Sequence, residues 1–329
     1  MPVNKEDNEE TKENQKNVLY SEMTNPNSLS KDKPLLKNKL DLFVDTVFLN
    51  VKDYNLAKEF YERVFSFTPF ASFELIDENK QIPPQKLALY LEDNKKPNLM
   101  LVGCPWMDYN PSQANFPRYI KLLIAVPDLT KYQEILQKRK LSFKTSQQTI
   151  NFVDDNGITI EIIEKSTITS QSQILGLQIA TSNLIETKIL LSNIFGLSEN
   201  DWIETADNTI KLQIENAFLE FFENPQIEKK PIDPNAQFTI GINRVGLSCP
   251  SFNELVAQIQ RESPDIVKNL YEILPGFQEI IFADYDQINY SLITKNKSKM
   301  VVALGWKKVS GFFTKKSNIK FEIAKRDFD

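Results

Sequence analysis

The chain has 329 residues, 41% of them hydrophobic and 25% charged, with a net charge of −5. That is room for two domains with real cores, and the charge disfavours non-specific nucleic-acid binding. The absence of histidine excludes a Ser-His-Asp triad, a Cys-His dyad, an HExxH zinc site and a two-His-one-carboxylate iron site, while nine glycines without GxGxxG or GxxxxGK[ST] spacing exclude the usual nucleotide cradles. The two cysteines, Cys104 and Cys249, lie far apart, which argues against a disulfide framework and predicts a reducing, cytoplasmic setting. No apolar run approaches the roughly 20 residues of a membrane span, and no signal-peptide core is expected.

Residues 1–39 are rich in Asn, Lys, Glu and Ser and read as a disordered tail, with Met23 as an alternative start. A strand then alternates over residues 43–51. Leu56, Ala57, Phe60, Tyr61 and Val64 mark one face of a helix, and strands follow at 71–76, 86–91 and 99–102. The loop 104–116 carries Trp106, Met107, Tyr109 and Phe116. A second unit opens with Lys121-Leu122-Leu123-Ile124-Ala125-Val126-Pro127-Asp128. Asp128 caps a helix marked by Leu129, Tyr132, Ile135 and Leu136. The unit closes with Asp154-Asp155-Asn156-Gly157 and a strand through Thr159-Ile160-Glu161-Ile162.

After a polar linker at 166–172 the pattern returns. Strand 175–181 leads to a helix marked by Leu184, Thr187, Leu191 and Ile194 and ending at Phe195-Gly196-Leu197. Strands follow at 202–205, 210–214 and 218–222. A fourth unit opens at Ile242-Asn243-Arg244-Val245-Gly246-Leu247, and its helix carries Phe252, Leu255, Val256 and Ile259. Its close mirrors that of the second unit, with Asp284 over Asp154 and Ser291 over Glu161. Beyond Thr294, ten Lys and Arg face three Asp and Glu. This segment predicts Lys-guarded edge strands or an anionic partner.

The Ile-Ala-Val-Pro-Asp run, the Asp154–Gly157 turn before Ile-Glu-Ile, and the Ala57-x-x-Phe60-Tyr61-x-x-Val64 helix resemble the vicinal-oxygen-chelate superfamily of glyoxalase I, bleomycin-resistance proteins and extradiol dioxygenases. The layout also resembles the eukaryotic glyoxalase-domain-containing proteins, notably around residues 245–250. The resemblance implies an α+β fold of tandem vicinal-oxygen-chelate domains, each built from two βαβββ modules forming a curved-sheet cup. It implies a first domain at 40–165, a second, degenerate domain at 173–293 and a basic C-terminal extension at 294–329.

The family's metal ligands project from the first and last strand of each module. Those positions fall on Thr46, Met100, Lys121 and Glu161 in the first half and on Gly176, Glu220, Arg244 and Ser291 in the second. Only Glu161 and Glu220 match a ligand. One carboxylate and one cation per half predict an ion pair in each former metal site, Lys121 with Glu161 and Arg244 with Glu220. The expectation is therefore no metal and no cofactor, and a non-catalytic protein. It would bind a small or aromatic ligand in the first-domain cup through Thr46, Met100, Lys121, Glu161 and Trp106. Two alternatives stand beside it. One is a glyoxalase I-type lyase or isomerase with Glu161 as base. The other is an interaction scaffold acting through the second domain or the basic C-terminus. Sequence-specific nucleic-acid binding is not expected.

Overall fold

The computed structural model describes residues 41–77, 83–90, 96–106, 119–168, 172–206, 208–227, 240–262, 270–296, 299–300, 307–309, 312–314 and 320–326. The expected tail at 1–39, the loop beyond Trp106 and part of the linker at 166–172 lie outside the described residues.

Four βαβββ modules succeed one another. The first is β1 (Phe43–Val51), α1 (Tyr54–Val64), β2 (Ala71–Asp77), β3 (Gln85–Tyr90) and β4 (Asn98–Gly103). The second is β5 (Tyr119–Val126), α2 (Leu129–Lys138), β6 (Phe143–Thr145), β7 (Thr149–Val153) and β8 (Thr159–Glu164). The third is β9 (Gln173–Thr181), α3 (Leu184–Phe195), β10 (Trp202–Ala206), β11 (Thr209–Gln213) and β12 (Phe218–Glu223). The fourth is β13 (Gly241–Ser248), α4 (Phe252–Glu262), β14 (Leu270–Leu274), β15 (Phe277–Ala283) and β16 (Asn289–Lys295). Beyond the repeat lie β17 (Lys307–Val309), β18 (Phe312–Thr314) and β19 (Lys320–Arg326).

Local chemistry sets the module. Asp53, Asp128 and Asn183 each accept a backbone N–H from the first turn of the helix they cap. The first three helices leave through a left-handed residue. Gly196 fills that position after α3, where φ is 65°, while Ser66 and Lys140 stand in it after α1 and α2 at 60° and 59°. This explains why glycine suits the position after the helix motif of the first module, and Ser66 holds it at a conformational cost.

The modules do not pair in sequence order. β1 runs antiparallel to β13, and β5 antiparallel to β9. Modules one and four therefore share one sheet, and modules two and three share the other. The expected cups, formed from modules one and two and from three and four, give way to this arrangement. The connections explain it: residues 165–172 are short enough to hold β8 and β9 in one sheet, whereas 104–118 and 224–240 are long enough to cross between sheets.

One sheet is eight-stranded, in the order β10-β11-β12-β9-β5-β8-β7-β6. The other closes into a barrel, β1-β13-β16-β15-β14-β19-β2-β3-β4. The closing strand β19 has partners on both sides, so the expected basic edge strand is an interior one. A continuous core spans both sheets. It joins Val47, Leu49, Leu122, Ile124, Leu177, Ile179, Val245 and Leu247 to the buried helix faces at Phe60, Leu136, Leu191 and Ile259. A second cluster, including Phe48, Phe73, Leu75, Met100 and Phe277, lies on the other face of the barrel strands.

Candidate functional site

Strand register aligns the site positions in all four modules. The closing-strand residue lies opposite the residue two beyond the opening-strand position, pairing Phe48 with Met100, Leu123 with Glu161, Gln178 with Glu220 and Gly246 with Ser291. These residues alternate out of the helix-packed core, so they project from the face of each sheet that carries no helix. Because the sheets join modules one with four and two with three, the eight positions divide into two sets. Thr46, Met100, Arg244 and Ser291 belong to the barrel. Lys121, Glu161, Gly176 and Glu220 belong to the open sheet.

On the open sheet a polar row crosses seven strands. Lys211 pairs with Glu220, Glu220 with Gln178, Gln178 with Lys121, Glu161 with Asn151 and Asn151 with Lys144. Lys121 Nζ donates to Glu161 Oε2 at 2.8 Å, and the two side chains keep 26% and 20% of their exposure. Across β9 and β12, Gln178 Nε2 donates to Glu220 Oε2 at 2.9 Å. Lys211 Nζ sits 3.8 Å over the Phe218 ring, a cation–π contact. Gly176 allows β9 and β12 to approach, since a Cβ there would lie 2.0 Å from the Phe218 carbonyl oxygen. Asn151 Oδ1 is buried without a hydrogen-bond partner, next in register to Glu161.

In the barrel Thr46, Met100 and Ser291 are fully buried, and Arg244 keeps 12% of its side-chain exposure. Arg244 donates from Nε and Nη2 to the two oxygens of Glu279, at 2.5 and 2.9 Å. Ser291 Oγ donates to the same carboxylate and accepts from Arg244 Nε at 3.0 Å. Met100 is fully buried, and Trp106 packs against the cluster around it. Thr46 accepts from Lys295 at 3.1 Å, beside the Lys295–Asp45 ion pair. Burial pushes the nearby Cys104 thiol up to about 12, so it stays protonated at neutral pH.

No protein-family model matches this sequence, and no curated protein matches it. Solved structures match its architecture. Glyoxalase I from Zea mays aligns over 79% of this chain and 94% of its own, at TM-score 0.58 and 12% identity. A candidate dioxygenase from Bacillus subtilis aligns over 78% of this chain and 86% of its own, at TM-score 0.57 and 14% identity. With four βαβββ modules in two curled sheets, the match decides the architecture. This is the vicinal-oxygen-chelate fold. At such identities the likeness establishes the fold alone.

The fold's name refers to a metal centre, and the residues at the eight aligned positions do not fit one. A divalent cation asks for several oxygen or nitrogen donors. At the four positions of the open sheet stand an ammonium, two carboxylates already engaged by Lys121 and Gln178, and a glycine. In the barrel the guanidinium of Arg244 stands among the four. Among the described residues no group of three His, Cys, Asp or Glu is placed to hold a metal ion.

The structure brings together Lys121 and Glu161 as an ion pair. It does not bring Thr46, Met100 or Trp106 to them, because those residues lie in the barrel. Nor does Arg244 meet Glu220, since the two lie on different sheets; Arg244 takes Glu279 and Glu220 takes Gln178. Glu279, Gln178, Lys211 and Asn151 were missed by ligand-position counting. A lone acid inside the apolar run 277–283 was the signal that could have found Glu279.

Proposed function

We propose that this protein is a metal-independent, non-catalytic binding protein that takes a small polar or aromatic ligand on the helix-free face of its open sheet. One contrast carries this reading: Lys121, Glu161 and Glu220 keep partial exposure on that sheet, whereas Met100 and Ser291, at equivalent barrel positions, are sealed. Lys121 and Lys211 offer cations to the ligand, Glu161 and Glu220 offer carboxylates, and Phe218 presents a ring. Glu161 is held by Lys121, which opposes its use as a free base.

Calorimetric titration with a panel of zwitterions, aromatic carboxylates and aromatic amines tests the reading. A hit should bind equally with and without chelator and lose at least tenfold in affinity in Lys121→Met and Glu220→Gln. Exchange of the α-proton of the bound hit into deuterated water, abolished in Glu161→Gln, would instead make the protein a catalyst. No binding by any member at millimolar concentration would remove the ligand reading.

A further inference from the structure

The open sheet and the barrel are built alike, from two modules joined through their opening strands, yet only the barrel contains a ninth strand. That strand, β19, comes from outside the repeat. It pairs parallel to β2, with Lys320, Phe321, Glu322 and Ile323 opposite Glu74, Leu75, Ile76 and Asp77. It pairs antiparallel to β14, with Leu270, Tyr271 and Glu272 opposite Arg326, Lys325 and Ala324. Without β19, β2 and β14 would be the two edges of an eight-stranded sheet in the same order as the other one. They would face each other across a slot two strand spacings wide, about 10 Å. Such a slot presents rows of unpaired N–H and C=O groups on both sides. Beside it, Phe73 and Leu75 of β2 and Phe277 of β15 belong to one apolar cluster.

We propose that the gap between β2 and β14 is a strand-acceptor site, filled by the chain's own β19 and able to take the β19 of a second copy. Three observations point there. The open sheet is an internal control: a two-module sheet stands without a ninth strand, so the acceptor keeps its shape when β19 leaves. The two ladders holding β19 span four and three residue pairs, against seven between β1 and β13, so β19 is released at lower cost than the seam of the barrel. The charges also match by sequence position. By sequence, the acceptor strands carry Glu74, Asp77 and Glu272, and β19 carries Lys320, Lys325 and Arg326 against a single Glu322, with Lys320 in register with Glu74. The occupant is thus an extended basic strand.

The test uses the full-length chain. Ile323→Pro removes a ladder donor from β19 and should free the slot. That variant should take up one equivalent of a fluorescent peptide spanning residues 318–327, at least tenfold more tightly than a scrambled peptide of the same composition. Uptake should fall at least threefold between 50 and 500 mM salt. Independently, Ile76→Cys with Glu322→Cys, in a Cys249→Ser background, places thiols at a register pair. When heavy-isotope and light copies are mixed at high concentration and oxidised slowly, mass spectrometry should find heavy–light 76–322 disulfides. Intrachain disulfides alone, or equal uptake of native and scrambled peptide by a folded Ile323→Pro chain, would overturn the proposal. Should Ile323→Pro fail to fold, the cross-linking result decides by itself.

Discussion

Arg244 holds both carboxylate oxygens of Glu279 while its guanidinium carbon lies 3.8 Å over the ring of Phe48, its register partner across β1 and β13. With Glu279 only 1% exposed, removing the cation strands a buried charge. Arg244→Met should therefore cost about 3–5 kcal/mol, and adding Glu279→Leu should recover most of it, because an apolar pair of similar volume is often as stable as the ion pair it replaces. Urea unfolding of the wild type, both single variants and the double variant gives the coupling directly. A coupling below about 1 kcal/mol would show that the pair does not hold the barrel.

The Lys121–Glu161 pair should behave differently. Both side chains retain a fifth or more of their exposure, so water screens the attraction and solvates whichever partner remains. Lys121→Met should change unfolding free energy by less than about 1 kcal/mol. The same urea titrations compare the two pairs, and a loss above 2 kcal/mol at Lys121 would make this pair a structural element rather than a surface for ligand.

Asp154 and Asp284 should give the protein an unusual acid response. Each occupies the same turn of its module. Asp154 accepts from the backbone of Asn156 and Ile158 and from Tyr61, and Asp284 from the backbone of Asp286 and Ile288 and from Tyr290. Burial raises Asp154 to about 6 and Asp284 to about 7, the latter helped by neighbouring Asp286. A carboxyl with a raised folded pKa contributes stability that is full below its unfolded value near 4 and is lost as pH rises through the folded value. Asn mimics the protonated form, keeping the backbone bonds through its oxygen. Relative to wild type, Asp154→Asn and Asp284→Asn should be neutral or destabilising at pH 4 and stabilising at pH 8. The swing should be about 3 kcal/mol for Asp154 and about 4 kcal/mol for Asp284. Denaturant titrations at the two pH values measure it, and a pH-independent difference would refute the shift.

Two glycines on opening strands of the two sheets should respond unequally to alanine. At Gly176 the added Cβ meets a backbone carbonyl at 2.0 Å, so β9 and β12 must separate. At Gly246 it meets Ile293 Cδ1 at 2.1 Å, the far end of a side chain that can rotate. Gly176→Ala should cost about 2–3 kcal/mol and Gly246→Ala about 1. Thermal melts of both variants rank them, and the reverse order would contradict the strand spacing.

Much of this molecule was readable from residue order. Alternation over Lys121–Val126, the caps at Asp53, Asp128 and Asn183, and the two Asp turns are local signals, because a strand, a capped helix or a turn is decided by near neighbours. So was the fourfold recurrence of one module. The Lys121–Glu161 ion pair was also legible, since both residues belong to one module whose first and last strands must adjoin.

Which module joins which was a different kind of question. Every opening strand offers a similar alternating edge, and only the lengths of the connections and the fit of whole faces select β13 for β1 and β9 for β5. That selection separated Thr46, Met100 and Trp106 from Lys121, gave Arg244 to Glu279 instead of Glu220, and left one sheet open while β19 closed the other. Residue order settled the modules because their stabilising contacts are short-range. The tertiary structure settled the site because a binding face is made of side chains from strands whose adjacency no local pattern encodes.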